Sequence, residues 1–127
     1  MRRLLPLLLL LSCSAPDRGG TRIIGHGGGG TSSAHPLDSE SSAYEALRAG
    51  ADGIELDAQF TADGVLVAYH DAGITGGGAC AGKLNGLRWD ELNRCATADG
   101  GAPIARLDEL LPKLSREFKD AGFTLDC

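Results

Sequence analysis

Polar and apolar residues alternate along residues 53–60, which predicts a β-strand with two different faces. The two faces carry, in turn, the polar residues Glu55, Asp57 and Gln59 and the apolar residues Ile54, Leu56 and Ala58. Two carboxylates on one face repel each other unless a positive charge lies between them. Because hard divalent cations take oxygen ligands, Glu55 and Asp57 are candidate metal ligands. An ordinary amphipathic strand with solvated acids is the alternative.

A second strand is predicted at residues 65–69, and the Asp-Gly pair at 63–64 is a strong signal for a hairpin turn. A two-residue loop would place His70 opposite Asp57, and a four-residue loop would place it opposite Glu55. Either register brings an imidazole to the carboxylate face. A three-residue loop would turn His70 to the other face, because a shift of one residue inverts every side chain.

A short buried strand is also predicted at residues 21–26, and it ends at His26 before four glycines. Glycine lets the backbone come close to a ligand, and consecutive N–H groups can bind an anion. Gly27 and Gly28 are therefore candidate substrate-binding residues beside His26. A flexible loop is the alternative.

Apolar residues at helical spacing predict three helices, from about Ser39 to Arg48, from Leu84 to Cys95 and from Leu107 to Lys119. Asp38 is expected to be the N-cap of the first helix. His35 precedes it in a polar stretch and is interpreted as a loop residue. The last helix has an apolar stripe, interpreted as core, of Leu107, Leu110, Leu111, Leu114 and Phe118.

A basic start followed by the apolar segment Leu4 to Leu11 predicts a secretion signal. That segment is too short to span a membrane. The Leu-Leu-Ser-Cys sequence ending at Cys13 resembles a bacterial lipobox, which predicts removal of residues 1–12 and lipidation of Cys13. Residues 13–20 would then be a tether, and several acyl chains would anchor the protein to a membrane of the cell envelope. Ordinary secretion with cleavage near Ala15 is the alternative.

Charge argues against nucleic acid as a partner. The formal net charge is −5, and it becomes −7 when Arg2 and Arg3 leave with the signal peptide. Nucleic-acid-binding domains typically carry a basic patch or stripe, which this chain lacks.

Four motifs follow one another along the chain: Ile24-Gly25-His26-Gly27-Gly28, Gly50-Ala51-Asp52-Gly53-Ile54-Glu55-Leu56-Asp57, Thr61-Ala62-Asp63-Gly64 and Tyr69-His70-Asp71. Their residues, order and spacing resemble those of the glycerophosphodiester phosphodiesterase family, from about residue 21 to the C-terminus. The resemblance implies an α/β fold, a TIM (β/α)8 barrel of the phospholipase C-like phosphodiesterase type. It also implies a small insertion, here at about residues 72–102.

The activity that the resemblance implies is metal-dependent hydrolysis of glycerophosphodiesters to glycerol 3-phosphate and an alcohol. His26 and His70 would be the acid–base pair, and Glu55 and Asp57 would bind the metal ion. The family takes a third acidic ligand from a later strand, and Asp126 matches that position, with Asp in place of the usual Glu. The expected cofactor is a divalent cation, Ca²⁺ or Mg²⁺, and the expected substrate is a glycerophosphodiester or a related lipid head group.

Two residues depart from the family pattern. Gly27 stands where the family usually has an Arg that would contact the phosphate, and Leu37 stands where it usually has a Glu. We expect fewer phosphate contacts but do not interpret Gly27 as inactivating. Asp38 is the alternative source of the missing carboxylate, although its role as the N-cap of the first helix is favoured.

Cys80 and Cys95 flank residues 81–94 of the insertion, and in an oxidising envelope they are expected to form a disulfide. Two free thiols are the alternative. Cys127 is expected to be a buried strand residue. The absence of any Cys-x-x-Cys spacing argues against a structural zinc site.

Length limits the fold to part of a barrel. A TIM barrel typically needs about 250 residues, and the chain has 127. Residues 21–127 are therefore expected to be a partial domain, cut short after about three to four strands, and the chain a truncated reading of a longer gene. Two other functions stay open: a phospholipase D-like phosphodiesterase on the same barrel, or an inactive truncated homologue.

Overall fold

The computed structural model describes residues 19–75, 80–95 and 101–127. Its elements are β1 (Ile24–His26), α1 (Glu40–Arg48), β2 (Gly53–Phe60), β3 (Leu66–Ala68), β4 (Gly73–Thr75), β5 (Ala81–Lys83), α2 (Trp89–Leu92), β6 (Ala105–Arg106), α3 (Leu107–Glu117) and β7 (Gly122–Asp126). The predicted signal peptide and the lipidation site Cys13 lie outside these residues. No helix in the described ranges is long and apolar enough to cross a membrane.

Parallel strands form the centre of the fold. β2 lies between β1 and β7 and is parallel to both. α1 connects β1 to β2, α3 leads into β7, and both helices pack against the sheet around one apolar core. This repeated strand–helix–strand order is that of a TIM barrel. The described residues supply three parallel strands of it, so the fold is the predicted partial α/β barrel.

The two faces of β2 are those that the alternation predicts. Ile54, Leu56 and Ala58 are buried in the core between the sheet and the helices. α3 covers this face with Leu107, Leu110 and Leu114, which are fully buried. Glu55, Asp57 and Gln59 lie on the opposite face and are half-buried. Burial of the apolar face therefore fixes the direction in which the polar side chains point.

Both predicted registers of the hairpin are wrong. Phe60 pairs with Leu66, and the Thr61 N–H donates to the Val65 carbonyl at 3.0 Å, which leaves a loop of three residues. Side-chain hydrogen bonds close this loop: the Thr61 hydroxyl accepts from the Val65 N–H at 2.9 Å and donates to Asp63 at 2.7 Å. Ser and Thr hydroxyls often bind the backbone of a turn in this way. Counting residues from the Asp-Gly pair alone missed the contribution of Thr61.

Two predicted elements differ in extent or environment. β1 begins at Ile24 and is not buried: Ile24 is 45% exposed, because β1 pairs only with β2 among the described residues. The predicted helix from Leu84 to Cys95 is a 3₁₀ turn, Leu84–Gly86, followed by the short α2. Leu87 between them has an extended backbone, which interrupts the helix.

The N-cap of α1 also differs from the prediction. Ser39, not Asp38, is the N-cap, and its side chain accepts a hydrogen bond from the Ser42 N–H at 3.1 Å. Asp38 has a φ of 61°, in the left-handed region, and its side chain points away from the helix start toward β2.

Described residues of the insertion form a small unit of their own. β4 and β5 pair antiparallel, and a second apolar cluster joins Ile74, Leu84 and Leu92 to Val67 of β3. The structure bonds Cys80 to Cys95, with 5.6 Å between their Cα atoms. A disulfide that closes a loop of about 15 residues stabilises a fold by about 3 kcal/mol in the chain-entropy model.

Cys127 differs from its prediction, because it is exposed and lies just after β7.

Candidate active site and metal centre

Three carboxylates meet on the polar face of the sheet. β7 pairs with β2 in a register that places Asp126 beside Asp57, and Glu55 is two residues from Asp57 on the same face. Ligand atoms of Glu55, Asp57 and Asp126 all lie within 4.8 Å of one another. Glu55 and Asp57 are half-buried and Asp126 is exposed. Oxygen donors at this spacing fit a hard cation such as Ca²⁺ or Mg²⁺.

His26 lies beside the carboxylates on the neighbouring strand. The parallel register pairs His26 with Glu55, and the imidazole Nε2 lies 3.9 Å from the Glu55 Oε2. The His26 side chain is 69% exposed, whereas that of Glu55 is 18% exposed. The imidazole is therefore open to a ligand that approaches from solvent.

His70 reaches the same site by a different route. In the observed register a continued strand would place His70 opposite Leu56, on the apolar face. β3 ends at Ala68 instead, the chain bends, and the His70 side chain is exposed near Asp57. Its Nδ1 lies 2.8 Å from the Asp71 carboxylate. This hydrogen bond and then the charge of Asp57 raise the pKa of His70 above its ordinary value.

The glycine loop after β1 is held by protein contacts. The Gly27 N–H points at the Glu55 carboxylate, 3.3 Å away, and the Gly29 N–H donates to the Ser42 hydroxyl at 2.8 Å. A Cβ on Gly28 would lie 2.6 Å from that hydroxyl, so only glycine fits against α1 at this position. The loop therefore packs closely on α1, and substrate binding by Gly27 and Gly28 stays a prediction.

Asp38, predicted chiefly as a helix cap and only alternatively as the acid missing at position 37, is a fourth acid at the site. It is 2% exposed, its carboxylate accepts the Asp57 N–H at 3.0 Å, and its own N–H donates to the Gly27 carbonyl at 2.9 Å. Burial, opposed by that hydrogen bond and reinforced by the charges of Asp57 and Glu55, raises the pKa of Asp38 to about 6. Asp38 therefore joins the loop after His26 to the strand that carries Asp57.

Comparison with known proteins identifies the family. The model of the glycerophosphoryl diester phosphodiesterase family matches residues 29–126. The chain belongs to this family. Glu55, Asp57, His70 and Asp126 lie within the matched residues, and His26 lies just before them.

Named relatives agree with this assignment. A probable glycerophosphodiester phosphodiesterase 2 of Mycobacterium tuberculosis is 34% identical over 97 residues, which are 76% of the chain and 36% of that protein. The crystal structure of a glycerophosphodiester phosphodiesterase from Agrobacterium tumefaciens has 32% identity and a TM-score of 0.70, and covers 84% of the chain and 46% of that structure. An Oleispira antarctica phosphodiesterase, in complex with its product sn-glycerol-3-phosphate, has 20% identity and a TM-score of 0.68, over 83% of the chain and 43% of that structure. The last likeness shows the fold alone.

The chain spans little more than a third of the length of the curated relatives that it matches, at 37% and 36%. The described residues accordingly contain three parallel strands rather than a closed barrel.

The two departures from the family pattern, Gly27 and Leu37, are neighbours in space. A Cβ on Gly27 would lie 3.0 Å from two carbons of the Leu37 side chain, and Gly27 has a φ of 56°. An Arg at position 27 would therefore be strained and would crowd Leu37.

The residues that line two surface cavities indicate where the candidate active site lies. A shallow cavity of about 340 Å³ is lined by Asp57, Gln59, His70 and Asp126 among others. A larger one of about 550 Å³ lies beside α1 and α3 and is lined by His35 and Trp89 among others. None of the three clustered carboxylates lines the larger cavity, so the smaller cavity is the candidate active site.

Replacement of Asp38 by Asn is expected to stabilise the metal-free protein at neutral pH. The pKa of Asp38 is raised from 3.8 to about 6, so the folded state holds its proton more tightly than the unfolded state. The contribution of Asp38 to stability therefore falls as pH rises from about 4 to about 6, by about 2–3 kcal/mol, and stays lower above that window. Asn keeps the acceptor oxygen, tolerates the positive φ and does not ionise.

Urea unfolding of both proteins in chelator, at several pH values between 4 and 8, measures this difference. The gap between Asp38→Asn and wild type should widen with pH and then become constant. A gap that is the same at every pH, or a less stable variant at pH 7.5, would contradict the assigned environment of Asp38.

Proposed function

We propose that this protein hydrolyses glycerophosphodiesters to glycerol 3-phosphate and an alcohol, with a divalent cation and the histidine pair. The observation that carries the proposal is the in-register pairing of Asp57 with Asp126, which completes the carboxylate cluster between the two imidazoles. Family membership supports the reaction class. Since the chain covers less than half of its named relatives, the activity of the whole protein belongs to the proposal.

Glu55, Asp57 and Asp126 would hold the cation, because their oxygens converge. Among the described residues, the ion pairs of Lys and Arg side chains are made with other carboxylates. When bound, a divalent cation of this kind offsets negative charge on a phosphoryl oxygen as the transition state forms. We propose Ca²⁺ or Mg²⁺, since both take carboxylate oxygens.

His26 and His70 would transfer the protons. They lie on either side of the carboxylates, His26 beside Glu55 and His70 near Asp57. One would remove a proton from the nucleophile, either the neighbouring glycerol hydroxyl or water, and the other would protonate the leaving alkoxide. Asp71 is bonded to the Nδ1 of His70, so the Nε2 would be the nitrogen that transfers the proton.

Product analysis tests this function. The protein, supplied with Ca²⁺ or Mg²⁺, should convert glycerophosphocholine to glycerol 3-phosphate, followed by ³¹P NMR. Sphingomyelin and lysophosphatidylcholine in parallel reactions test the phospholipase D-like alternative. Turnover of those lipids without turnover of glycerophosphocholine would overturn the proposed substrate.

The phospholipase D-like alternative rests on one observation, the Asp at position 126 where the family usually has Glu. The inactive alternative rests on Gly27, Leu37 and the short span relative to the relatives. Absence of divalent-cation binding would favour the inactive alternative, because both proposed enzymes need the cation.

We also propose a location in a bacterial cell envelope, with a lipid anchor at Cys13. The disulfide between Cys80 and Cys95 supports an oxidising compartment.

A further inference from the structure

Gln59 makes an unusual set of contacts beside the site. Its side-chain amide nitrogen lies 2.6 Å from the Tyr69 carbonyl, 3.2 Å from the His70 carbonyl and 3.0 Å from the Asp71 carbonyl. One amide group therefore donates to consecutive backbone carbonyls of the segment that carries His70. Gln59 lies two residues after Asp57, on the same face of β2.

These hydrogen bonds fix residues 69–71, which follow the end of β3 and lie outside the sheet. β3 ends at Ala68, and the Tyr69 N–H still donates to the Asp57 carbonyl at 2.9 Å. After this bond the chain bends away from the ladder, and the Gln59 amide takes the carbonyls of the bend. Tyr69 is buried, and a buried carbonyl needs a hydrogen-bond donor. The Gln59 amide supplies that donor to Tyr69 and also ties down the exposed carbonyls of His70 and Asp71.

We propose that Gln59 is a positioning residue that holds His70 at the carboxylate cluster. The observed hairpin register would otherwise direct His70 to the apolar face, opposite Leu56. Because Gln59 and Asp57 are on one strand, the amide fixes the His70 segment at a constant distance from a candidate metal ligand. This inference uses the proposed function only in giving His70 a chemical role.

The Gln59 side chain has the donors and the length that are needed to hold the His70 segment. A Gln amide has two N–H donors, which can be shared among neighbouring carbonyls. Leu has a similar size but no donor, and Asn has the donors but is shorter by one methylene. Both replacements should release the His70 segment. Leu cannot donate a hydrogen bond to the carbonyls, and Asn is too short to reach them.

The test compares wild type, Gln59→Leu, Gln59→Asn and a control, Asn85→Leu, which removes an exposed amide from the 3₁₀ turn Leu84–Gly86. The ¹H–¹³C imidazole signals of the three histidines are recorded, and each is assigned by its His→Gln variant. We expect both Gln59 variants to shift and broaden the His70 signal and to leave those of His26 and His35 in place. The control should change none of them.

Kinetics give the second measurement. A misplaced catalytic group commonly costs about 10- to 100-fold in rate, so kcat should fall by that factor in both Gln59 variants, with KM changed by less than about twofold. An unchanged His70 signal in Gln59→Leu would overturn the proposal, as would equal changes in His26, which would show general loosening. If wild type has no phosphodiesterase activity, the proposed function fails, and the imidazole signals still decide the role of Gln59.

Discussion

Replacement of His26 or His70 by Ala is expected to lower kcat/KM for glycerophosphodiester hydrolysis by about 10²- to 10⁴-fold. This is the usual contribution of a general acid or base. Both imidazoles are exposed beside the carboxylates, so removal of either one deletes a proton-transfer group and leaves the packing of the core intact. Initial rates with glycerophosphocholine at saturating divalent cation measure the effect.

His35→Ala is the matched control, because His35 lines the larger cavity beside α1 and α3 rather than the carboxylate site. We expect it to retain wild-type kcat/KM. Full activity of His26→Ala or His70→Ala would refute the assignment of that histidine. A loss in His35→Ala equal to the others would move the chemistry to the larger cavity.

Removal of the divalent cation is expected to lower the rate of glycerophosphodiester hydrolysis by at least about 10³-fold. Addition of Ca²⁺ or Mg²⁺ should restore the rate. The cluster of Glu55, Asp57 and Asp126 concentrates negative charge where an anionic phosphodiester must bind. Without the cation the site repels its substrate and gives no electrophilic help to the transition state. Asp57→Asn should lower activity in the same direction at a cation concentration that saturates wild type.

Asp120→Asn is the control for charge. Asp120 precedes β7, whereas Asp126 is at the opposite end of that strand. Its replacement should leave activity and cation dependence unchanged. Activity that survives chelator, or an Asp57→Asn variant that remains fully active, would contradict a metal-dependent mechanism at this cluster.

The alternation of β2 was enough to predict the carboxylate face. Its apolar residues are buried and its polar residues share the other face, because each strand residue points opposite to its neighbours. Local pattern could not supply Asp126, which lies far along the chain. That residue came from the family resemblance, and the register of β2 with β7 brings it to Asp57.

The position of His70 was predicted for the wrong reason. The sequence indicated two hairpin registers, and the structure has a third, in which the Thr61 hydroxyl closes the turn. His70 still reaches the site because the chain leaves the ladder after Ala68 and the Gln59 amide holds the bend. Neither contact has a periodic signal in the sequence.

Asp38 shows a second limit of sequence reasoning. An Asp just before a helix is usually a cap, and Ser39 takes that place instead. The left-handed backbone at Asp38 turns its carboxylate toward the Asp57 N–H. Such a contact depends on how the loop after β1 packs on β2, which one residue and its neighbours do not reveal.

Calorimetric titration of the protein with Ca²⁺ and Mg²⁺ shows whether Glu55, Asp57 and Asp126 form a metal site. We expect wild type to bind a single ion of at least one of these metals. Affinity should fall by at least about tenfold in Asp57→Asn, since loss of even an outer-shell partner commonly costs that much. Absence of binding by wild type, or equal affinity in Asp57→Asn, would contradict a metal site at these carboxylates.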